Sequence, residues 1–200
     1  VEFSLNVNVP MPTDMRWSWT LTGTHYKNKV TDIPVDKREA GITHDSYYNI
    51  REGKSVWDFY YYSFAGLDET GHSLWYRDAT NEDGVTVKET TNDYTKATKY
   101  YIGTALPDFQ GGISTEFSWK GFDFSIAANY QLGGKIYDSM YSSLMHAGND
   151  AGKNWHKDIL NAWSETNKNT NVPILDGNQN ATTFSDRFLI GASFFNIRNI

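Results

Sequence analysis

The sequence predicts an all-β chain: a stretch of antiparallel barrel wall, apolar on one face and polar on the other, carrying long loops. Three observations lead there. Apolar and polar residues alternate with period two in several segments. The connections between those segments are either very short or very long. The chain is also polar on average while rich in rings: aromatics make up 16% of 200 residues, yet mean hydropathy is −0.58. Strands with one apolar and one wet face reconcile those two figures.

The first nine residues alternate throughout, with Val1, Phe3, Leu5, Val7 and Val9 against Glu2, Ser4, Asn6 and Asn8. Side chains at alternate positions of a strand point to opposite sides, so these are two faces. Pro10-Met11-Pro12-Thr13-Asp14 breaks the run, because proline has no amide hydrogen for a ladder. A second strand is expected from Met15 to about Lys27, with Trp17, Trp19 and Leu21 on one face and Arg16, Ser18, Thr20, Thr22 and Thr24 on the other. The pattern returns at Ile113, Thr115, Phe117 and Trp119. Lys120-Gly121 supplies a tight turn. The returning strand places Phe122, Phe124, Ile126, Ala128, Tyr130 and Leu132 on one side and Asp123, Ser125, Asn129 and Gln131 on the other. A last strand is expected to start near Phe188.

Segments 28–55, 66–98 and 135–184 are rich in Asn, Asp, Gly, Lys and Thr and read as loops between hairpins. Loops of that length are uncommon in compact soluble domains and ordinary on the outer side of membrane barrels. The third is expected to hold a short helix from Trp155 to Trp163, with Trp155, Ile159 and Trp163 on one stripe and Asn154 as its cap.

Alternation alone fits a membrane barrel and a soluble sandwich equally. Three features favour the barrel. The strands run nine to thirteen residues, against about nine to eleven for a tilted spanning strand. Their polar faces are mostly Ser, Thr, Asn and Gln, while Lys, Arg and Glu gather in the loops. Trp17, Trp19, Trp119 and Phe122 flank the short turns, where an interfacial aromatic girdle would lie. The lipid-facing wall is therefore expected to comprise Phe3, Leu5, Val7, Trp17, Trp19, Leu21, Phe117, Trp119, Phe122, Phe124, Ile126 and Tyr130. A secreted or surface glycan-binding β-sandwich is the alternative; it too would be rich in Trp and Tyr.

Composition excludes other classes. No apolar run approaches the roughly 18 to 20 residues of a spanning helix. A formal charge of −6 gives no basic footprint for nucleic acid. Without cysteine there is no disulfide, thiolate zinc site or cysteine nucleophile. Val1 is no initiator and Asn196 to Ile200 reads as strand to the last residue, so the sequence is expected to be a piece of a longer chain. His25, His44, His72, His146 and His156 are scattered without metal-ligand spacing, and neither a nucleophile elbow nor a phosphate loop occurs. No enzyme is expected.

Several blocks, in order along the whole chain, resemble the SusC/RagA-like TonB-dependent transporters. They are Gly53-Lys54-Ser55-Val56-Trp57-Asp58-Phe59-Tyr60; Thr70-Gly71-His72-Ser73-Leu74-Trp75-Tyr76; Ile102-Gly103 with Pro107-Asp108-Phe109-Gln110-Gly111-Gly112; Phe117-Ser118-Trp119-Lys120-Gly121-Phe122; Tyr130-Gln131-Leu132-Gly133-Gly134-Lys135-Ile136-Tyr137-Asp138; Asn154-Trp155 with Trp163; and Ser185-Asp186-Arg187-Phe188-Leu189. The resemblance implies that residues 1–200 are the C-terminal part of a 22-stranded outer-membrane barrel, its plug domain and final strands lying outside them. It further implies energised import of a large nutrient, an oligosaccharide or a peptide. The implied partners are a SusD-like surface lipoprotein and TonB, reached through an N-terminal region.

Many relatives carry Asp-x-Asn-x-Asp-Gly ahead of the Ile-Gly block. Here Asp78-Ala79-Thr80-Asn81-Glu82-Asp83-Gly84 has one residue more. Asp78, Asn81 and Asp83 are the candidate calcium ligands, since alternate oxygens suit a hard cation; an Asn/Asp/Gly turn with no cofactor is the favoured reading. Among loop aromatics, Trp57, Tyr61, Trp75, Trp155 and Trp163 are the candidate substrate contacts. Against that, Trp155 and Trp163 would anchor the loop helix, and Tyr60, Tyr61 and Tyr62 would alternate between lipid and lumen.

Overall fold

The computed structural model describes residues 1–45 and 47–200, Gln179 through its backbone. β1 (Glu2–Val9) and β2 (Met15–Thr24) form the first hairpin. A connection spanning residues 25–108 then holds β3 (Ile42–His44), β4 (Tyr48–Ile50), β5 (Asp58–Tyr62), β6 (Phe64–Leu67), β7 (Ser73–Thr80), β8 (Thr86–Thr91) and β9 (Lys99–Thr104). β10 (Phe109–Trp119) and β11 (Phe122–Leu132) form the second hairpin. A second connection, 133–193, holds β12 (Lys135–Tyr137), the short helix α1 (Ser139–Leu144) and β13 (Leu189–Gly191), ahead of β14 (Phe194–Asn199).

The main sheet runs β1-β2-β10-β11-β14, every neighbouring pair antiparallel. Its strands thus follow one another in space as they do in the chain. Both short turns lie at one end of this meander and both long connections at the other. The β10–β11 turn is two residues long, with Lys120 and Gly121 both at positive φ (46° and 86°). Two such residues match the twist of a tight hairpin.

Register settles the faces. Val7 lies opposite Trp19, Trp19 opposite Thr115, and Thr115 opposite Ile126. The adjoining rows are Leu5, Leu21, Ile113 and Ala128, and Val9, Trp17, Phe117 and Phe124. All the residues predicted for the apolar wall share this face. The opposite face carries Asn6, Thr20 and Ser114 in one row and Asn8, Ser18, Glu116 and Ser125 in the next. The apolar face stands open, with Leu5 53%, Phe122 60% and Phe195 65% exposed. A sandwich would bury these side chains under a second sheet.

The hydrophobic core lies elsewhere. Every buried hydrophobic residue among those described, including Phe59, Trp75, Met145, Ile159, Trp163, Phe184 and Phe188, belongs to one of the two long connections. Met145, Ile159 and Phe188 pack together under Tyr137, Tyr141 and Val172.

Several expectations change. β2 pairs directly with β10, so loops 28–55 and 66–98 are parts of one connection, and the segment between them is no wall strand. Tyr60, Tyr61 and Tyr62 lie in β5, paired to β9 and away from the wall. The connections are also structured, because short strands such as β7 and β8 pair with each other. β2 ends at Thr24, the last residue paired to both Glu2 and Gln110. The expected helix over Trp155 to Trp163 is a single 3-10 turn, Lys157–Asn161, capped by the His156 ring rather than by Asn154. It stops there because the backbone amide of Trp163 donates to the Val172 carbonyl at 2.9 Å. The expected last strand is two: β13 pairs with β12 and β14 with β11. The sheets are open, so these residues do not themselves form the closed 22-stranded barrel.

Candidate functional site

The wall and the loop layer meet at the end of the sheet away from the short turns. There Tyr47, Tyr48, Phe59, Lys135, Ile136 and Tyr137 from the connections meet Gln131 of β11 around an open groove of about 560 Å³. Its floor is aromatic. Tyr47 stacks on Phe184 at 4.3 Å between ring centroids, Tyr137 lies 4.2 Å from Phe184, and Tyr48 stacks on Phe59 at 5.0 Å. Burial pushes the hydroxyls of Tyr48 and Tyr137 above the usual phenol range, so both stay protonated donors.

Cross-connection contacts tie this layer together. Asp186 accepts the Ser63 hydroxyl and the Phe64 amide, both at 2.7 Å, tying the first connection to the second. Beside it Arg187 lies over the Phe64 and Phe188 rings, 5.4 and 4.9 Å from their centroids, and donates to the Ala181 carbonyl at 2.9 Å. Burial pulls its guanidinium down to about 10, which leaves it charged at neutral pH. His72 bridges the same two segments, with Nε2 2.7 Å from Asp176 Oδ2. Partial burial opposes ionisation of the neighbouring Asp68. Hydrogen bonds from Thr70 and the His72 amide prevail and hold its carboxyl below the usual range.

The predicted contact residues divide into two groups. Trp57 is 41% exposed, edge-on to Tyr48 at 5.6 Å. Trp155 is 49% exposed, stacked on His146 at 5.2 Å, its indole N–H given to the His146 carbonyl. Tyr61 is half-buried against Phe184, with the Lys99 ammonium 4.3 Å from its ring centre. Trp75 and Trp163, by contrast, are buried at 1% and 8% exposure and offer no free face for a ligand here. Trp163 covers Gly71 so closely that a Cβ there would come within 2.5 Å of the indole.

Of the calcium candidates, Asn81 spends its side-chain oxygen on the amides of Asp83 and Val85, at 3.1 and 2.8 Å, which closes the β7–β8 turn. Asp78 lies in β7 and accepts the Tyr100 hydroxyl at 2.5 Å. Burial and that carboxylate together push the Tyr100 phenol up to about 12.

On the apolar face of the wall, polar groups are paired within the protein. Trp17 Nε1 donates to the Thr115 hydroxyl, which donates in turn to the Ser18 carbonyl, both at 2.9 Å. The Tyr130 hydroxyl donates to the Thr22 carbonyl at 3.0 Å. Phe3, Phe109 and Tyr130 form a stacked row, with neighbouring centroids 5.8 and 6.0 Å apart. The row passes over Gly23 and Gly111, which face each other across β2 and β10. Rings laid over strand glycines restore the packing those residues lack.

No family model matches the chain. Over its whole length it is 26% identical to TonB-dependent receptor P3 of Formosa agariphila. Over half its length it is 32% identical to TonB-dependent receptor P39 of the same organism. Its backbone superposes on the RagAB peptide transporter with a TM-score of 0.82 across 97% of the chain, at 26% identity. The chain is related to the TonB-dependent receptors. It spans about a fifth of the length of P3 and of the RagAB chain, 20% and 21% respectively, and 10% of P39. These relatives are receptors and transporters rather than enzymes. Sequence reading located the two-faced main sheet and missed the groove, whose rings and lysine come together only through β12 and the packing of Phe184. The Gly133-Gly134-Lys135 run was the one local sign of it: two positive-φ glycines turn the chain back over the loop layer.

Proposed function

We propose that these residues form part of the wall and the extracellular loop layer of an outer-membrane, TonB-dependent importer. The observation that carries the reading is the two-faced meander, with an exposed apolar side, a polar side, and both long connections at one end. Lipid is the one solvent that suits such a face without a covering sheet, and the internal pairing of Trp17, Thr115 and Tyr130 suits a medium that offers no hydrogen bonds. Phe3, Phe109 and Tyr130 at one end and Trp119 and Phe122 at the other give two aromatic belts.

In the full protein, further strands complete a barrel of the 22-stranded kind, and a region N-terminal to these residues contacts TonB. A SusD-like lipoprotein meets the loop layer. The cargo is a large nutrient, an oligosaccharide in this reading or else a peptide, and Trp57 and Trp155 offer it exposed indoles. No cofactor forms part of the proposal. The RagAB likeness supports the transporter–lipoprotein arrangement in general terms.

The test is fractionation of the full-length parent protein, followed by electrophoresis with and without boiling. Outer-membrane enrichment and a band that shifts on boiling are expected. A soluble protein without a shift would favour the glycan-binding sandwich.

A further inference from the structure

The groove beside Lys135 holds a cation that no described residue neutralises. The Lys135 stem crosses β9 at Gly103, where a Cβ would come within 2.6 Å of Lys135 Cδ. Gly103 has φ +137°, a backbone state that side chains rarely adopt, so the crossing is part of the local fold. The ammonium donates to the Ile102 carbonyl at 2.9 Å. That contact uses one of its three hydrogens. Among the described residues Lys135 has no ion-pair partner, and the groove lining contains no aspartate or glutamate. Lys135 thus lines the groove as a partly buried cation, pinned at its ammonium and unpaired among the described residues.

Around it lie ring faces and a polar rim. Tyr47 stacks closely on Phe184 and more distantly on Tyr137, at 6.0 Å between centroids, and remains 41% exposed. Gln131 donates its amide to the Ala192 carbonyl at 3.0 Å and keeps its own side-chain oxygen as an acceptor. A volume of about 560 Å³ is in the range of pockets for small ligands, roughly 300 to 1,000 Å³.

From this we infer that the groove is a subsite for an acidic sugar unit, a uronic acid residue of an oligosaccharide. Its C–H face lies on Tyr47, its hydroxyls meet Gln131, and its carboxylate meets Lys135. A flat ring face and a hydroxyl acceptor match a sugar; the single positioned cation selects a charged sugar over a neutral one. The inference deepens the importer reading and rests on it, because Gln131 belongs to the polar face there taken as lumen.

The experiment measures binding calorimetrically to the full-length transporter. The probes are a uronic acid oligosaccharide, a neutral glucose oligosaccharide of equal length, and an acidic peptide of equal charge. The uronic acid oligosaccharide is expected to bind tightest, and more weakly as salt rises. Lys135→Met should weaken it about tenfold and leave the neutral sugar unchanged, whereas Lys135→Arg should restore most of the loss. Tyr47→Ala should weaken both sugars. Equal binding of the two sugars, or no loss in Lys135→Met, overturns the subsite. Binding of the peptide as tight as that of the acidic sugar, with the same dependence on Lys135, overturns the sugar assignment. A boiling-dependent band shift in each variant shows that its barrel is folded; no shift in the parent protein would sink the importer reading itself.

Discussion

Trp17 and Thr115 are 98 residues apart in sequence and joined by a hydrogen bond of 2.9 Å on the apolar face of the wall. Thr115 is buried on that face, at 8% exposure. Its hydroxyl both takes the indole proton and supplies one to the Ser18 carbonyl. A threonine in an otherwise aromatic and aliphatic row thus completes a short polar chain from the indole to the β2 backbone.

Thr115→Val keeps the shape and removes both bonds. The loss is expected to be about 1 to 3 kcal/mol, the cost of leaving such groups unpaired, and Thr115→Ser should recover most of it. Urea unfolding of the full-length barrel in lipid vesicles reads the difference; an unchanged midpoint in the valine variant would rule out a stabilising role for this pair.

The two faces should respond unequally to charge. Leu21→Arg is expected to cost about 2 to 4 kcal/mol near the bilayer midplane. Ser125→Arg, on the polar face opposite Glu116, should cost far less. Comparable damage at both positions, measured in the same vesicle unfolding assay, would contradict the assignment of lipid and lumen.

Gly23 and Gly111 should differ in tolerance. A Cβ at Gly23 would meet the Phe3 and Phe109 rings at 2.4 and 2.5 Å, and rings can tilt. At Gly111 it would meet the Thr22 carbonyl oxygen at 2.0 Å, and the ladder cannot move aside. Gly111→Ala should therefore lower the yield of heat-modifiable barrel more than Gly23→Ala; the reverse order would be inconsistent with this packing.

Acid should loosen the turn around Asp68. Its carboxyl is held below the ordinary value of 3.8, so its hydrogen bonds contribute fully above that pH and are lost as pH falls through the lower folded value. Amides of Thr70 and His72 should exchange faster at about pH 3 than at about pH 5, after correction for intrinsic rates. In Asp68→Asn that excess should vanish; an excess that persists would point to another group.

The wall was legible because period-two alternation is local: Phe3, Leu5 and Val7, or Phe122, Phe124 and Ile126, declare their common face without reference to any partner. The loop layer was not, because its order depends on distant contacts. Trp163 reads as a free loop aromatic until Gly71 lies beneath it. Trp155 and Ile159 match a helical stripe, yet the amide of Trp163 pairs with Val172 and ends the turn. Tyr60 to Tyr62 alternate like wall residues, but β5 finds its partner in β9. Lys135 carries no signal alone; the groove exists only once Tyr47, Phe184 and Tyr137 are stacked.

The concentration of buried hydrophobic residues in the two connections bears on how the chain assembles. Each hairpin of the wall closes locally, whereas β2 and β10 must find each other across the whole first connection. For a flexible loop, the entropy of bringing such ends together grows with length, and pairings of long sequence separation are slow. Here the intervening segment has sheets and packed rings of its own, and its two ends already meet where His25 contacts the Asp108 carbonyl, 83 residues on. A globule that condenses in water would deliver β2 and β10 to each other as neighbours. On the importer reading, the loop layer would then serve as the template on which the strands of the main sheet are zipped together.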